Sequence, residues 1–419
     1  MSARRRWIAL VAGTLAAASV AGASAAPAVR FDRNIKVGVV DTYSGPPAVF
    51  GNDALNGFRL ALQEINRDGV HGARIEFVTR DEKFNPEIGL SMARELVLQE
   101  RVDVLVGTIN SATALAISAF AREQRVPFLV WISKSEAITG ARGHRYVFST
   151  TENTAMAGKA LAEAMVRRGY TRFWLAAEDY EYGHAVTNSF WRFVKRLKPE
   201  AELVNQTWWR TGEPDLVPYL TQILQARPQA AFFGTGGAGM ANVMRTMQVI
   251  GFAQRAVQTR SLPGEEEAMA RLLRAEMERL GTAAPEGVFG TTDYLYYYPD
   301  TPANRKFVQD FQAAFGGPPG FPAFHGYITG HFIAEAFRRA RSLDRERFVE
   351  ALEGLRIQTP VGEVEMRACD HQAVLPMIFG VTRRDPRFPH LVAGDPTVIP
   401  GANVMPTCED IRRARERAR

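Results

Sequence analysis

The sequence predicts an α/β protein of two lobes, each a parallel sheet with helices on both faces. Short apolar, β-branched runs alternate with segments of helical periodicity, and the alternation starts afresh after about residue 150. Strand and helix signals in regular alternation imply crossover connections, which make neighbouring strands parallel. From Val361 onward the chain changes character and becomes short strands and proline-rich loops.

The elements follow in order. Ile35–Val40 reads as a buried strand. Asp53–Asn66 reads as a helix with Phe58, Ala61, Leu62 and Ile65 on one face, ended by Asp68-Gly69. Arg74–Val78 is a strand, and Pro86–Glu100 a helix opened by proline at a tolerated first-turn position. Val102–Val106 is a strand, Ala112–Gln124 a helix and Val126–Ile132 a strand. The second lobe reads as helix Met156–Arg168, strand Arg172–Ala176, helix Gly183–Leu197, strand Leu203–Trp208, helix Asp215–Ala226 and strand Ala230–Phe233. Helices are then expected over Gly239–Ile250, Glu265–Leu280, Asn304–Phe315 and Phe324–Arg341, the last two separated by Pro318-Pro319-Gly320.

Composition bounds the class. With 419 residues, 46% hydrophobic and 23% charged, the chain suits two or three domains with full cores. Arg4-Arg5-Arg6, the apolar small-residue stretch Trp7–Val20 and Ala23-Ser24-Ala25 are expected to be a signal peptide over residues 1–25, cleaved after Ala25. No cysteine lies near that site to carry a lipid anchor, so the mature chain is expected free in the periplasm. Removing three arginines from 51 basic side chains leaves 48 against 45 acidic ones, too weak a balance to argue for nucleic acid. The basic run Arg412–Arg419 reads as a solvated tail. An exported chain with two cysteines is expected to pair Cys369 with Cys408.

Catalytic patterns are missing. The sequence has no Walker phosphate loop, no Gly-x-Ser-x-Gly and no His-Glu-x-x-His, and its seven histidines are scattered. No cofactor and no metal is expected. Gly234-Thr-Gly236-Gly-Ala-Gly239 imitates a dinucleotide fingerprint, but the region about 20 residues on reads Val257-Gln-Thr-Arg260-Ser and lacks the acid that would hold a ribose. These glycines read instead as a tight turn lining a cleft. The informative segment is Gly107-Thr-Ile109-Asn110-Ser111-Ala-Thr113, which links a buried strand to a helix N-terminus. Unpaired amide donors and the helix dipole favour an anion there, and Ser111 adds a hydroxyl. Simple capping by Asn110 or Ser111 is the competing reading. Ser133-Lys134-Ser135 leaves another strand end beside it, where open α/β sheets bind ligands.

On these residues the chain resembles the leucine/isoleucine/valine-type receptors, the branched-chain amino acid group of type I periplasmic binding proteins. Ile35-Lys-Val-Gly, Ser44-Gly45-Pro46, Phe50-Gly51 and Gly57-x-x-Leu60-Ala61-x-x-x-Ile65-Asn66 are similar to the family's opening, and Asp179-Tyr-Glu-Tyr182-Gly183 to its second-lobe entry. The resemblance implies two Rossmann-like lobes joined by a three-segment hinge: residues 33–150 plus 290–362, and 151–289 plus 363–400, with 401–419 as a C-terminal tail. It implies a carboxylate-bearing ligand, an amino acid or an aromatic or aliphatic acid, enclosed by hinge closure. Ile109, Asn110 and Ser111 match its carboxylate-binding segment and Ser133, Lys134 and Ser135 a second one. Phe50 and Tyr182 fall at aromatic walls, and Thr235 and Gly236 at a second-lobe wall.

One departure bears on the ligand. Amino-acid receptors of this family carry an acid near position 260 to pair the ammonium, and this chain has Arg260. An arginine there would repel an ammonium, so carboxylates without one are expected to bind better, unless Glu152 or Glu178 takes over the acid's part. The expected partners are a small-molecule ligand and the permease subunits of an ABC importer, with the receptor itself a monomer. A sensory protein of the same fold and an exported enzyme are the competing functions.

Overall fold

A computed structural model of the chain describes residues 29–252, 267–269, 286–287 and 289–418. Strands β1 (Ile35–Asp41), β2 (Ile75–Asp81), β3 (Val104–Gly107), β4 (Phe128–Val130) and β5 (Val147–Ser149) form one sheet in the order β2-β1-β3-β4-β5, all parallel. Helices α1 (Ala48–Asp68), α2 (Pro86–Leu98) and α3 (Ser111–Gln124) make its crossovers. Asn85 caps α2 by accepting from the N–H groups of Glu87 and Ile88, and Pro86 sits where its missing N–H costs nothing.

The second sheet has the order β14-β13-β10-β9-β8-β6-β7. Its strands are β6 (Arg172–Glu178), β7 (Glu202–Trp209), β8 (Ala230–Gly234), β9 (Glu267–Met269), β10 (Phe289–Thr292), β13 (Met377–Arg383) and β14 (Val392–Ile399). β13 pairs antiparallel with both β10 and β14, and β11 (Arg356–Thr359) and β12 (Gly362–Glu365) form a separate hairpin. Helices α4 (Thr154–Arg167), α5 (Glu181–Leu197), α6 (Val217–Ala226) and α7 (Gly237–Val249) accompany this sheet.

The chain passes between the sheets three times: after β5, after β10, and between β12 and β13. After β10 it returns to the first lobe as α8 (Pro302–Phe315), α9 (Phe321–Ala340) and α10 (Arg345–Leu352). Phe307, Phe324, Phe337 and Phe348 from these helices share one core with Phe58, Trp131 and Phe148. The two faces of the second sheet are covered by separate cores, one around Trp174, Trp209 and Met244 and one around Phe173, Phe190 and Phe232. The fold is therefore α/β in two lobes, one sheet wholly parallel and the other interrupted by the antiparallel β13.

Two expectations need correction, and one strand, β5, was not foreseen. Glu265–Leu280 does not read through as a helix, because Glu267–Met269 lie as β9 between β8 and β10. Those neighbours need a partner for their inner-edge N–H and C=O groups, and that demand outweighs the helical propensity of a Glu-rich run; the remainder of that stretch lies outside the described residues. The three-residue β5 is too short to leave a periodic signal. The C-terminus is not a loose tail: α11 (Gly401–Val404) and α12 (Cys408–Arg417) follow β14, and a Thr407/Asp410 capping box opens α12. The Cys369–Cys408 disulfide ties α12 down, and Arg415 donates to the carbonyls of Thr139, Gly140 and Cys369. The segment is therefore anchored through Cys408, Ile411 and Arg415, while Arg412, Arg413 and Arg417 stay exposed to solvent as a run of arginines suggested.

Candidate functional site

A cavity of about 740 Å³ lies between the lobes, at the carboxyl ends of both parallel sheets. This is the place where open α/β sheets offer unpaired loop amides and helix N-termini to a ligand.

The first-lobe wall is the junction between β3 and α3. Gly107 has φ +143, and a Cβ there would stand 1.9 Å from the Val40 carbonyl oxygen, so the turn needs glycine. Asp41 pins the next residues: its Oδ1 accepts from the N–H groups of Thr42 (2.7 Å) and Ile109 (2.9 Å), and its Oδ2 from Trp131 Nε1 at 2.6 Å. Asn110 caps α3 through Ala112 and Thr113 N–H, and donates to the Phe84 carbonyl. The Ser111 hydroxyl accepts from the N–H groups of both Lys134 and Ser135, each at 3.3 Å. These bonds are long, so a ligand carboxylate could take both amide donors at little cost.

Lys134 lies at the cavity floor with its ammonium turned inward. Its Nζ donates to both oxygens of the fully buried Glu152 at 2.5 Å and stands 4.3 Å from the Phe321 ring centroid. Glu152 belongs to a buried cluster in the crossover region. His325 Nε2 lies 2.8 Å from Asp293 Oδ2, and His325 Nδ1 lies 2.7 Å from the Thr150 carbonyl. Burial pushes the His325 pKa down while Asp293 pulls it up. Glu152, Asp293 and His325 could hold a metal ion by proximity, but Lys134 already supplies a cation to Glu152.

A second carboxylate, Glu82, is buried beside Asp41 under the same wall. Thr42 Oγ1 donates to it at 2.9 Å. Burial raises both acids, Asp41 to about 6 and Glu82 to about 8, with the neighbouring Asp41 charge adding to the rise at Glu82. Asp41 accepts the larger set of donors and is the member that ionises first; Glu82 is the member that keeps its proton.

The second-lobe wall comes from β6, β7 and the start of α7. Glu178, at the end of β6, lines the cavity, with Tyr180 and Tyr182 beyond it and Trp209 from β7. Thr235 Oγ1 donates to Glu178 Oε2 at 2.6 Å, and Gly212 N–H reaches Oε1 at 3.4 Å. Gly237 has φ +58, and a Cβ there would stand 2.9 Å from Phe50 Cε2, so glycine lets the two walls meet. Contacts also bridge the mouth: Ser135 Oγ donates to Glu181 at 2.6 Å, Arg192 forms a two-pronged pair with Glu136, and the Phe84 and Tyr180 rings lie 6.2 Å apart.

Of the residues expected from sequence, Phe50, Ile109, Ser111, Lys134, Tyr182 and Gly236 line the cavity. Asn110, Ser133, Ser135 and Thr235 stand behind that surface: Ser133 donates to the Thr108 carbonyl, and Thr235 serves Glu178. Arg260 lies outside the described residues. Phe84, Trp209 and Phe321 were missed; they come from a loop, a strand end and a helix start far apart in the chain. Glu178 entered only as a substitute for an ammonium partner, although its place at the end of a buried strand was a usable signal.

A family model described as periplasmic binding protein matches residues 34–385, and the chain belongs to that family. Its curated relatives include Leu/Ile/Val-binding protein homolog 6 of Brucella melitensis, 26% identical over 339 residues, covering 79% of this chain and 83% of that protein. Another is the leucine-, isoleucine-, valine-, threonine- and alanine-binding protein of Pseudomonas aeruginosa, 22% identical over 79% of this chain and 85% of its own. Among solved structures, an ABC transporter solute-binding protein of R. palustris in complex with 4-hydroxybenzoate aligns with TM-score 0.79 at 20% identity, over 88% of this chain and 97% of that one. A periplasmic binding protein of Burkholderia mallei aligns with TM-score 0.81 at 20% identity, over 90% and 98%.

Proposed function

We propose that the protein is the solute receptor of an ABC importer, working as a periplasmic monomer once a signal peptide over residues 1–25 has been removed. It closes on a small carboxylate with an apolar, aromatic body and delivers it unchanged to permease subunits in the membrane. The observation that carries this reading is the interlobe cavity with Ser111 at the N-terminus of α3. That junction gathers a hydroxyl, the helix dipole and the adjacent N–H groups of Lys134 and Ser135, a set suited to a carboxylate. Phe50, Phe321, Ile132, Tyr182 and Trp209 supply the apolar surround. At about 740 Å³ the cavity falls within the range of sites for small organic ligands.

The receptors of known structure with this fold include ones bound to 4-hydroxybenzoate, 3,4-dihydroxybenzoic acid and benzoate, which agrees with an aromatic acid as the ligand. Thermal-shift titration with a panel of aromatic and aliphatic carboxylates tests the reading. A ligand at 100 times its Kd adds about 2.7 kcal/mol of stability. Ser111→Ala is expected to weaken binding by about 1–3 kcal/mol through the lost charge-assisted contact. An unchanged affinity in Ser111→Ala would place the carboxylate elsewhere.

A further inference from the structure

We propose that Phe84 and Tyr180 form an aromatic clasp that holds the two lobes together over a bound ligand, and that Asn110 positions the first-lobe half of it. The inference rests on the receptor function proposed above and adds what sets the rate at which the ligand leaves.

Phe84 lies in the loop between β2 and α2 of the first lobe, and Tyr180 in the turn between β6 and α5 of the second. Both residues are half-buried and both line the cavity. Their ring centroids stand 6.2 Å apart at an interplanar angle of 54°, and Tyr182 continues the row at 5.9 Å from Tyr180. That separation and tilt suit an attractive contact between aromatic rings.

Sheet topology gives this contact its leverage. β5 runs into the first crossover, and β2, which ends at the Phe84 loop, is at the opposite edge of that sheet, four strand spacings or roughly 19 Å away. In the second sheet β6 is likewise separated, by β8 and β9, from β10, which runs into the second crossover. A rotation about the crossovers moves each group in proportion to its distance from them, so the Phe84–Tyr180 contact parts early as the lobes open. The Ser135–Glu181 and Glu136–Arg192 contacts spring from the segment after β4, the neighbour of β5, and move less.

The Phe84 loop is held in place from below. Lys83 and Phe84 both take the left-handed conformation, with φ 52 and φ 56. That conformation is costly for residues other than glycine and persists where neighbours hold it. Asp81 Oδ1 accepts from Lys83 N–H at 2.9 Å, and Asn110 Nδ2 donates to the Phe84 carbonyl at 3.1 Å. The Oδ1 of the same Asn110 caps α3 beside Ser111. One side chain thus ties the carboxylate junction to the ring that closes the mouth.

Stopped-flow tryptophan fluorescence with benzoate as the probe tests this, since Trp209 is part of the cavity wall. Benzoate is expected to dissociate about 3- to 10-fold faster from Phe84→Ala and from Tyr180→Ala, the range for one aromatic pair. Association should change by less than about twofold. The double variant should release benzoate no more than about twofold faster than the quicker single variant, because either substitution already breaks the contact. Asn110→Ser keeps a capping hydroxyl but is too short to reach the Phe84 carbonyl; it should speed release in the wild-type background and not in Phe84→Ala. Arg192→Gln, which removes an exposed ion pair nearer the crossovers, should change release by less than about twofold. Unchanged release from Phe84→Ala, fully additive effects in the double variant, or a larger effect from Arg192→Gln overturns the clasp and leaves the receptor function standing. Cross-linking gives a readout that needs no ligand. Phe84→Cys combined with Tyr180→Cys, in a chain whose native Cys369 and Cys408 are paired, should be bridged by a short bismaleimide, and faster with benzoate present. Absence of the bridge overturns the clasp, whereas bridging in a protein that binds no carboxylate places the failure in the receptor function.

Discussion

Replacing Lys134 with methionine is expected to cost about 3–5 kcal/mol of folding stability, the scale for removing one partner of a buried ion pair. The Lys134 side chain is 7% exposed and that of Glu152 is fully buried, with Nζ at 2.5 Å from both carboxylate oxygens. Methionine keeps the length and the apolar stem but leaves the Glu152 charge alone. Asp293 and His325 lie in the same buried cluster, so the carboxylate of Asp293 stands close to the orphaned charge. Glu152→Gln added to Lys134→Met should recover most of the loss, because it removes the orphaned charge rather than restoring the contact. Urea denaturation of the two single variants and the double variant makes the cycle. A loss below about 1 kcal/mol in Lys134→Met would mean that water, and not Lys134, neutralises Glu152.

The second large effect is a dependence of stability on pH. Glu82 is raised by burial and by Asp41 from its ordinary value of 4.5 to about 8. In the unfolded chain the same side chain ionises at its ordinary value. Between these two points the folded state holds a proton that the unfolded state has lost, so stability is complete below about 4.5 and falls as pH rises toward 8. The slope reaches at most about 1.4 kcal/mol per pH unit for this one group. Asp41, raised to about 6, adds a loss of the same sign over a lower window. Glu82→Gln, which resembles the protonated acid, should flatten the curve between pH 5 and 8. Denaturation midpoints for wild type and variant across that range decide it, and parallel curves would show that Glu82 is ionised in the folded protein.

Much of the fold was legible because its strands are buried on both faces. Runs such as Ile35–Asp41 and Val104–Gly107 have no polar alternation, and the helices between them carry a clear apolar face. What escaped was short or imposed from outside. β5 has three residues, and β9 exists because two neighbouring strands need a partner. α12 is held by a disulfide and by Arg415 reaching carbonyls more than 270 residues away in the chain, at Thr139 and Gly140.

The candidate site divides in the same way. Ser111 and Lys134 could be found because each follows a strand end, the position where parallel sheets present donors. Phe84, Trp209 and Phe321 could not, since nothing local distinguishes an aromatic that lines a cavity from one that fills a core. The pairing of Lys134 with Glu152 was also hidden, because it joins the cavity floor to a crossover segment whose path the sequence leaves undefined.

The central claim is that the cavity recognises a carboxylate. Isothermal titration of the wild-type protein with an aromatic carboxylate and with its methyl ester tests it most directly, because the two differ at one end alone. The account predicts that the acid binds and that the ester, which cannot accept charge-assisted bonds from the α3 junction, binds at least about tenfold more weakly. Equal affinities, or tighter binding of the ester, would contradict it.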